Sequence, residues 1–276
     1  MDTVNLTSAV RTNLFALDRA TTARNESARR LSTGLEVERA TDGPSTFFQA
    51  QALSGRVSDL FEAKGNIGQA LSAVGGALDA TDALTNLTDQ LRGVALAARG
   101  GSVESRQAAA EQFDSLREQL ANLAEDATYL GTGLVRSDSE SLDVAANETG
   151  TSRVLVEGRA ADASGLGIGS ALGDNNGFAG DTDIDAALGE LSGAVSTLRA
   201  NAANLGSDVA TLNIREDFAS RLENTLESGA AKLINADLNE EAARQLSSQV
   251  RQELSTLNLS IAAQGARQIS QILFES

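Results

Sequence analysis

Ile184, Leu188, Leu191, Val195, Leu198, Ala202, Leu205, Val209 and Leu212 follow one another at alternating steps of four and three residues without a miss. That spacing keeps one stripe on one face of an α-helix, the face by which a helix packs along another helix. The stripe continues through Ala219, Leu222 and Leu226 and predicts a helix of roughly 70 Å at 1.5 Å of rise per residue. Such a helix outruns any compact domain, so its stripe must be buried on other long helices.

The rest of the chain supplies them. Between Pro44 and Arg99 the stripe is Phe47, Ala50, Ser54, Val57 and Phe61, then Leu84, Leu87, Leu91 and Val94, until Gly100 and Gly101 break it. Phe113, Leu116, Leu120, Leu123, Ala127 and Leu130 predict a third helix closed by Gly131. At the N-terminal end Val10, Leu14, Leu17 and Leu31 form a seam weakened by polar Thr21 and Arg24. At the other end Leu246, Val250, Leu254, Leu257 and Ile261 repeat the spacing, and Ile269, Ile272, Leu273 and Phe274 carry apolar character onward. Both end helices are set off by breaks. Gly34 ends the first and Pro44 opens the next, while Asp237, with Glu240 three residues on, caps the last.

Residues 135–180 read differently, with short β-branched runs between turn residues such as Asn147 and Gly150, as in a hairpin with loops. The predicted fold is mostly α: an elongated antiparallel rod of long helices, a small β-hairpin insert at about 135–180, and paired terminal coiled-coil helices. The expected domains are 1–43 plus 236–276, an inner terminal-helix domain, and 44–235, a rod domain. Two amphipathic end helices with weak seams bury too little to offset their ordering entropy, so they are expected to fold when another subunit supplies an apolar wall.

Charge and composition exclude several functions. The net charge is −16, and residues 101–190 hold 17 Asp and Glu against 5 Arg, whereas residues 1–50 hold 6 of each sign. An acidic chain repels phosphate backbones and anionic lipid, so neither nucleic acid nor membrane is an expected partner. With no cysteine and no histidine there are no disulfides, no thiolate nucleophile and few means of binding a transition metal. The opening "MDTVNLTSAV" lacks the basic and apolar regions of a cleavable secretion signal, and no apolar run approaches the length of a bilayer span. The glycines of "GLGIGSALG" lack the spacing of a dinucleotide loop, and Asp181, Asp183 and Asp185 lack the glycine and glutamate of a calcium loop. No cofactor, metal or catalytic residue is expected, and the chain reads as a structural protein rather than an enzyme.

"RRLSTGLEVERATDGPSTFFQAQAL" (Arg29 to Leu53) is similar to the flagellin N-terminal signature, with Arg30-Leu31-Ser32-Thr33-Gly34-Leu35 at its core. "ATYLGTGLV" resembles the family's helix-end motif, "ANETGTSRVLV" its hairpin, and "INADLNEEAARQLSSQVRQE" its C-terminal signature. The chain departs from the family at Gly43, where a second aspartate is usual, and at "AAQGARQ" (Ala262 to Gln268).

The resemblance implies a secreted subunit of the extracellular bacterial flagellum. It would be exported unfolded by a type III channel and polymerise into a helical filament for swimming motility. Its partners would be further copies of itself, an export chaperone and export gate, and cap and hook-associated proteins. Val10, Leu14, Leu17, Leu31, Leu246, Val250, Leu254, Leu257, Ile261, Ile269, Ile272, Leu273 and Phe274 would form the assembly interface. Flagellins that activate the Toll-like receptor carry glutamine-arginine ahead of a leucine on the first long rod helix. Those positions are Asp89, Gln90 and Val94 here, which implies an inactive motif. The alternatives are a hook-filament junction protein and, from another class, a cytoplasmic helical adaptor or signalling coiled coil.

Overall fold

The computed structural model describes residues 8–274; the side chains of Ala9, Ala266 and residues 269–274 lie outside the described set. The chain is mostly helical, with α1 Ser8–Thr33, α2 Pro44–Ala98, α3 Val103–Asp126, α4 Asp181–Ile234 and α5 Leu238–Phe274. Two short strands, β1 Leu142–Ala145 and β2 Arg153–Val156, pair antiparallel with Val144 opposite Val154. Contacts group the chain into two compact units, Met1–Gly55 with Leu226–Ser276, and Arg56–Thr225.

Within Arg56–Thr225 the core is a heptad seam. α2 buries Leu60, Ala63, Ile67, Ala70, Val74 and Ala77, then Thr81, Leu84, Thr88, Leu91, Ala95 and Ala98. The two threonines donate to carbonyls one turn back, Thr81 to Ala77 at 2.7 Å and Thr88 to Leu84 at 2.8 Å, so their buried hydroxyls are hydrogen-bonded within the seam. Phe113 and Leu120 of α3 and Ile184, Leu191, Leu198, Leu205 and Leu212 of α4 complete the core. Ion pairs Lys64–Glu223 and Arg99–Asp185 match the beginning of α2 with the end of α4 and the reverse, which makes the two helices antiparallel.

Two details of the sequence reading change. Phe61 is 69% exposed and Leu60 takes its place in the seam, because alanines carry the stripe from residue 63 to residue 80 and set its phase. α3 ends at Asp126 rather than at Gly131. The next residues close a two-residue turn, with Tyr129 N–H donating to Thr132 O at 2.9 Å and Thr132 N–H returning at 3.0 Å, so Leu130 leaves the stripe.

The hairpin alternates as a half-buried ribbon should: Val144, Val154 and Val156 face the core while Asp143 and Leu155 face out. Arg56 fixes its tip, donating to Glu148 Oε1 from Nη2 at 2.7 Å and Nε at 3.2 Å. The loop before α4 is held by Asp114, which accepts from Ala171 N at 2.7 Å and Ser170 Oγ at 2.8 Å. Phe178 meets Phe113 edge-on at 5.4 Å between ring centroids.

Candidate assembly surface

The unit Met1–Gly55 with Leu226–Ser276 is organised by its two chain breaks. Gly34, at φ +74°, ends α1 by donating its N–H to Arg30 O at 2.8 Å, a left-handed cap that other residues reach only with strain. The strand-like linker then docks on the break before α5. Glu36 and Val37 donate their N–H groups to Ile234 O at 2.7 and 3.2 Å, and Ala236 N–H donates to Gly34 O at 2.9 Å. Asp42 gathers the other side of the linker, accepting from Arg39 N at 3.0 Å and from Arg29, which also donates to Glu38 at 2.9 Å. Asp237 caps α5 as expected, its Oδ1 accepting from Asn239 N at 2.9 Å and Glu240 N at 3.2 Å.

These contacts bring α1 and α5 side by side and fix which faces meet. On α1 the buried positions are Ala20 and Ser27; on α5 they are Glu241, Ser248 and Ser255, each pair of neighbours one heptad apart. The seam is ionic at the end next to the linker, three residues from the end of α1 and from the start of α5. Glu241, with 5% of its side chain exposed, accepts from Arg30 at 3.1 Å and from Arg244 at 3.0 Å, while Arg30 also reaches Glu26 at 2.9 Å. Burial works to raise the Glu241 carboxyl, but Ser27, Arg30 and Arg244 outweigh it and hold the group below the usual carboxylate range. Further along, Arg24 donates to Gln252 Oε1 at 3.0 Å.

The pair is therefore polar between its helices and apolar outside. Leu246, Val250, Leu254, Leu257 and Ile261 of α5 are all between 46% and 64% exposed, and Leu14 of α1 is 41% exposed. Val10, Leu17 and Leu31 are half-buried, whereas Phe15 and Phe48, which the heptad reading passed over, are largely exposed. The apolar seam expected on α5 does not face α1, because the ion pair and the docked linker turn its polar stripe inward. The side chains of Ile269, Ile272, Leu273 and Phe274 lie outside the described set. On one side of the pair a groove of about 700 Å³ runs between Phe15, Arg19 and Ala20 of α1 and Ser248, Arg251 and Leu254 of α5.

In the other unit, Asp89 and Gln90 are exposed on α2 and Val94 is half-buried against the core. Among the described residues no helix is long and apolar enough to cross a membrane.

Residues 3–140, half of the chain, match the model of the bacterial flagellin N-terminal helical region. The chain belongs to the flagellin family. Flagellin B of Rhizobium meliloti is 29% identical over 136 residues, 49% of this chain and 31% of that protein. Flagellin FljM of Caulobacter vibrioides is 29% identical over 146 residues, 53% of this chain and 52% of that one. This flagellin-family chain thus spans about a fifth to about a half of the length of the curated relatives it matches. A crystal structure of Bacillus cereus flagellin aligns at 14% identity and a TM-score of 0.48, over 56% of this chain and 88% of the other.

The heptad search missed the residues that lock the two helices because it scored only apolar side chains. Glu241, Ser248 and Ser255 share the same seven-residue period, and a polar stripe in register with Ala20 and Ser27 was the signal available.

Proposed function

We propose that this chain is a structural subunit that polymerises into an extracellular flagellar filament, acting by self-assembly and not by catalysis. The observation that carries this reading is the α1–α5 pair: its helices hold one another through polar groups and leave five large aliphatic residues of α5 in solvent. Exposed apolar surface of that extent on a paired helix is what a second subunit would cover. The terminal helices would form the filament's inner domain. Export would proceed through a type III channel with a chaperone, and growth would meet the hook-associated and cap proteins.

The test is seeded polymerisation of purified chain at neutral pH, followed by sedimentation and electron microscopy. Filaments are expected from wild type and not from Leu254→Asp/Leu257→Asp, which places two carboxylates on the exposed face. A fixed small oligomer, or filaments from the double variant at the wild-type concentration, refutes the reading.

The receptor-motif positions lead to a separate proposal. Gln90 stands where receptor-activating flagellins carry arginine, and an amide cannot replace the five-donor guanidinium fork. Purified protein is expected to give weak or no signal in a Toll-like-receptor reporter cell; a strong signal would overturn this assignment of Asp89, Gln90 and Val94.

A further inference from the structure

Three non-glycine residues among those described have positive φ: Leu130 at 51°, Asn176 at 49° and Phe178 at 56°. Asparagine tolerates the left-handed region; leucine and phenylalanine are strained there. For Phe178 the fold supplies compensation, since the ring is fully buried edge-on against Phe113. Leu130 receives none. Its side chain is 83% exposed, the highest value of any large apolar residue described.

The chain holds Leu130 in that position firmly. Its turn is closed by the two Tyr129–Thr132 backbone hydrogen bonds, has Gly131 at φ +86°, and is pinned to α2 by the Tyr129 hydroxyl, which donates to Gln69 Oε1 at 2.8 Å. Two-residue turns with both central residues at positive φ favour asparagine and glycine, and leucine at the first central position meets neither need. Strain kept by a rigid setting, without reward inside the fold, points to an external contact.

We propose that Leu130 is a contact residue for a second copy of this chain, an inference that rests on the self-assembly reading. Beside it lies a groove of about 360 Å³, lined by Asn66, Gln69, Ala70 and Ala73 of α2 and by Val144 and Ala145 of the hairpin. The only charged residues lining it, Asp143 and Arg153, pair with each other at 2.7 Å, so an acidic second copy meets no net charge there. The same unit offers apolar side chains to fill it: Phe61, Ile214 and Phe218 are all more than half exposed. One copy thus carries both halves of a head-to-tail contact, the kind that propagates as an open helical polymer.

The experiment compares full-length wild type, Leu130→Asn and Leu130→Met by thermal melting of the monomer and by seeded polymerisation. Asparagine suits the turn but offers no apolar contact, so Leu130→Asn is expected to melt a few degrees higher and to need about tenfold more protein to polymerise. Leu130→Met keeps the contact and should match wild type in both. If Leu130→Asn polymerises at the wild-type concentration, or melts below wild type, the assignment of Leu130 fails while the filament reading stands. If wild type itself forms no polymer on seeding, the filament reading fails and this inference with it.

Discussion

The two compact units use the same heptad arithmetic to opposite ends. In Arg56–Thr225 the positions that face another helix are buried and mostly apolar, Leu60 through Ala98 on α2 and Ile184 through Leu212 on α4, with Thr81, Thr88 and Asn201 as the uncharged polar exceptions. In the α1–α5 pair the fully buried positions are Ala20, Ser27, Glu241, Ser248 and Ser255, and the large aliphatic side chains of α5 from Leu246 to Ile261 point away. An apolar seam supplies stability but accepts many registers. An ionic seam contributes little net stability, yet fixes one partner and one register, because any other arrangement buries an unpaired charge. The first unit is built to be stable by itself, and the pair is built to present a surface.

The largest effect that would sharpen this contrast lies in the apolar core. Phe113→Ala removes a fully buried ring and its edge contact with Phe178, and should cost about 3 to 5 kcal/mol, read as a large drop in the melting of the monomer. A loss under about 1 kcal/mol would mean that this core is not what holds the unit together.

Next comes the ionic seam. Arg30→Met leaves Glu241 buried beside Arg244 alone and should weaken α1–α5 pairing by about 3 kcal/mol, seen as faster amide exchange in α1 with little change in α4. Adding Glu241→Leu should restore most of that protection, since the stranded charge is gone. If the single variant exchanges like wild type, the pair is held by something other than this lock.

The acid response is smaller. Glu241 and Asp42 both titrate below the ordinary carboxylate range. At Asp42 burial acts to raise the group, but the Arg39 N–H and the Arg29 guanidinium outweigh it. A carboxyl depressed by folding contributes stability above its unfolded pKa, near 4, and that stability is lost as pH falls through the folded value. Protection of α1 should therefore decline as pH drops below about 4. The core unit is affected less. Its depressed carboxyls, Glu104 bonded to its own backbone N–H and Ser102, Glu125 bonded to Ser137 and Arg136, and Glu148 bonded to its own backbone N–H and Arg56, act at the surface of an apolar core. Asp208, raised by burial against the pull of Arg159, carries the opposite sign and gains stability as pH falls. Simultaneous loss of protection in α1 and α4 on acid titration would remove the distinction between the units.

The smallest expected effect on the monomer is that of Leu254→Ala/Leu257→Ala, both more than half exposed. Melting should shift by less than about 1 kcal/mol while polymerisation weakens strongly. A large loss of monomer stability would show that α5 already buries this face.

Much of the helical plan was legible in the sequence. Helix existence and extent follow from local terms: four-three apolar spacing, Gly34 and Gly100 as stops, Pro44 and Asp237 as starts, and the alternation that marks the hairpin around Val144 and Val154. Periodicity states which residues share a face. It does not state which face a helix turns toward its neighbour. For α5 that choice was made by contacts between residues far apart in the chain, Arg30 with Glu241 and Gly34 through Val37 with Ile234 and Ala236. They rotated its leucines outward. The strained, solvent-facing Leu130 was equally hidden, since its place in a heptad series concealed a turn closed by Tyr129 and Thr132 and anchored to Gln69. The sequence by itself determined the helices, their breaks and the apolar stripes. Tertiary structure decided which stripes became core and which were left as surface, because rotational phase and turn geometry depend on partners that no local pattern names.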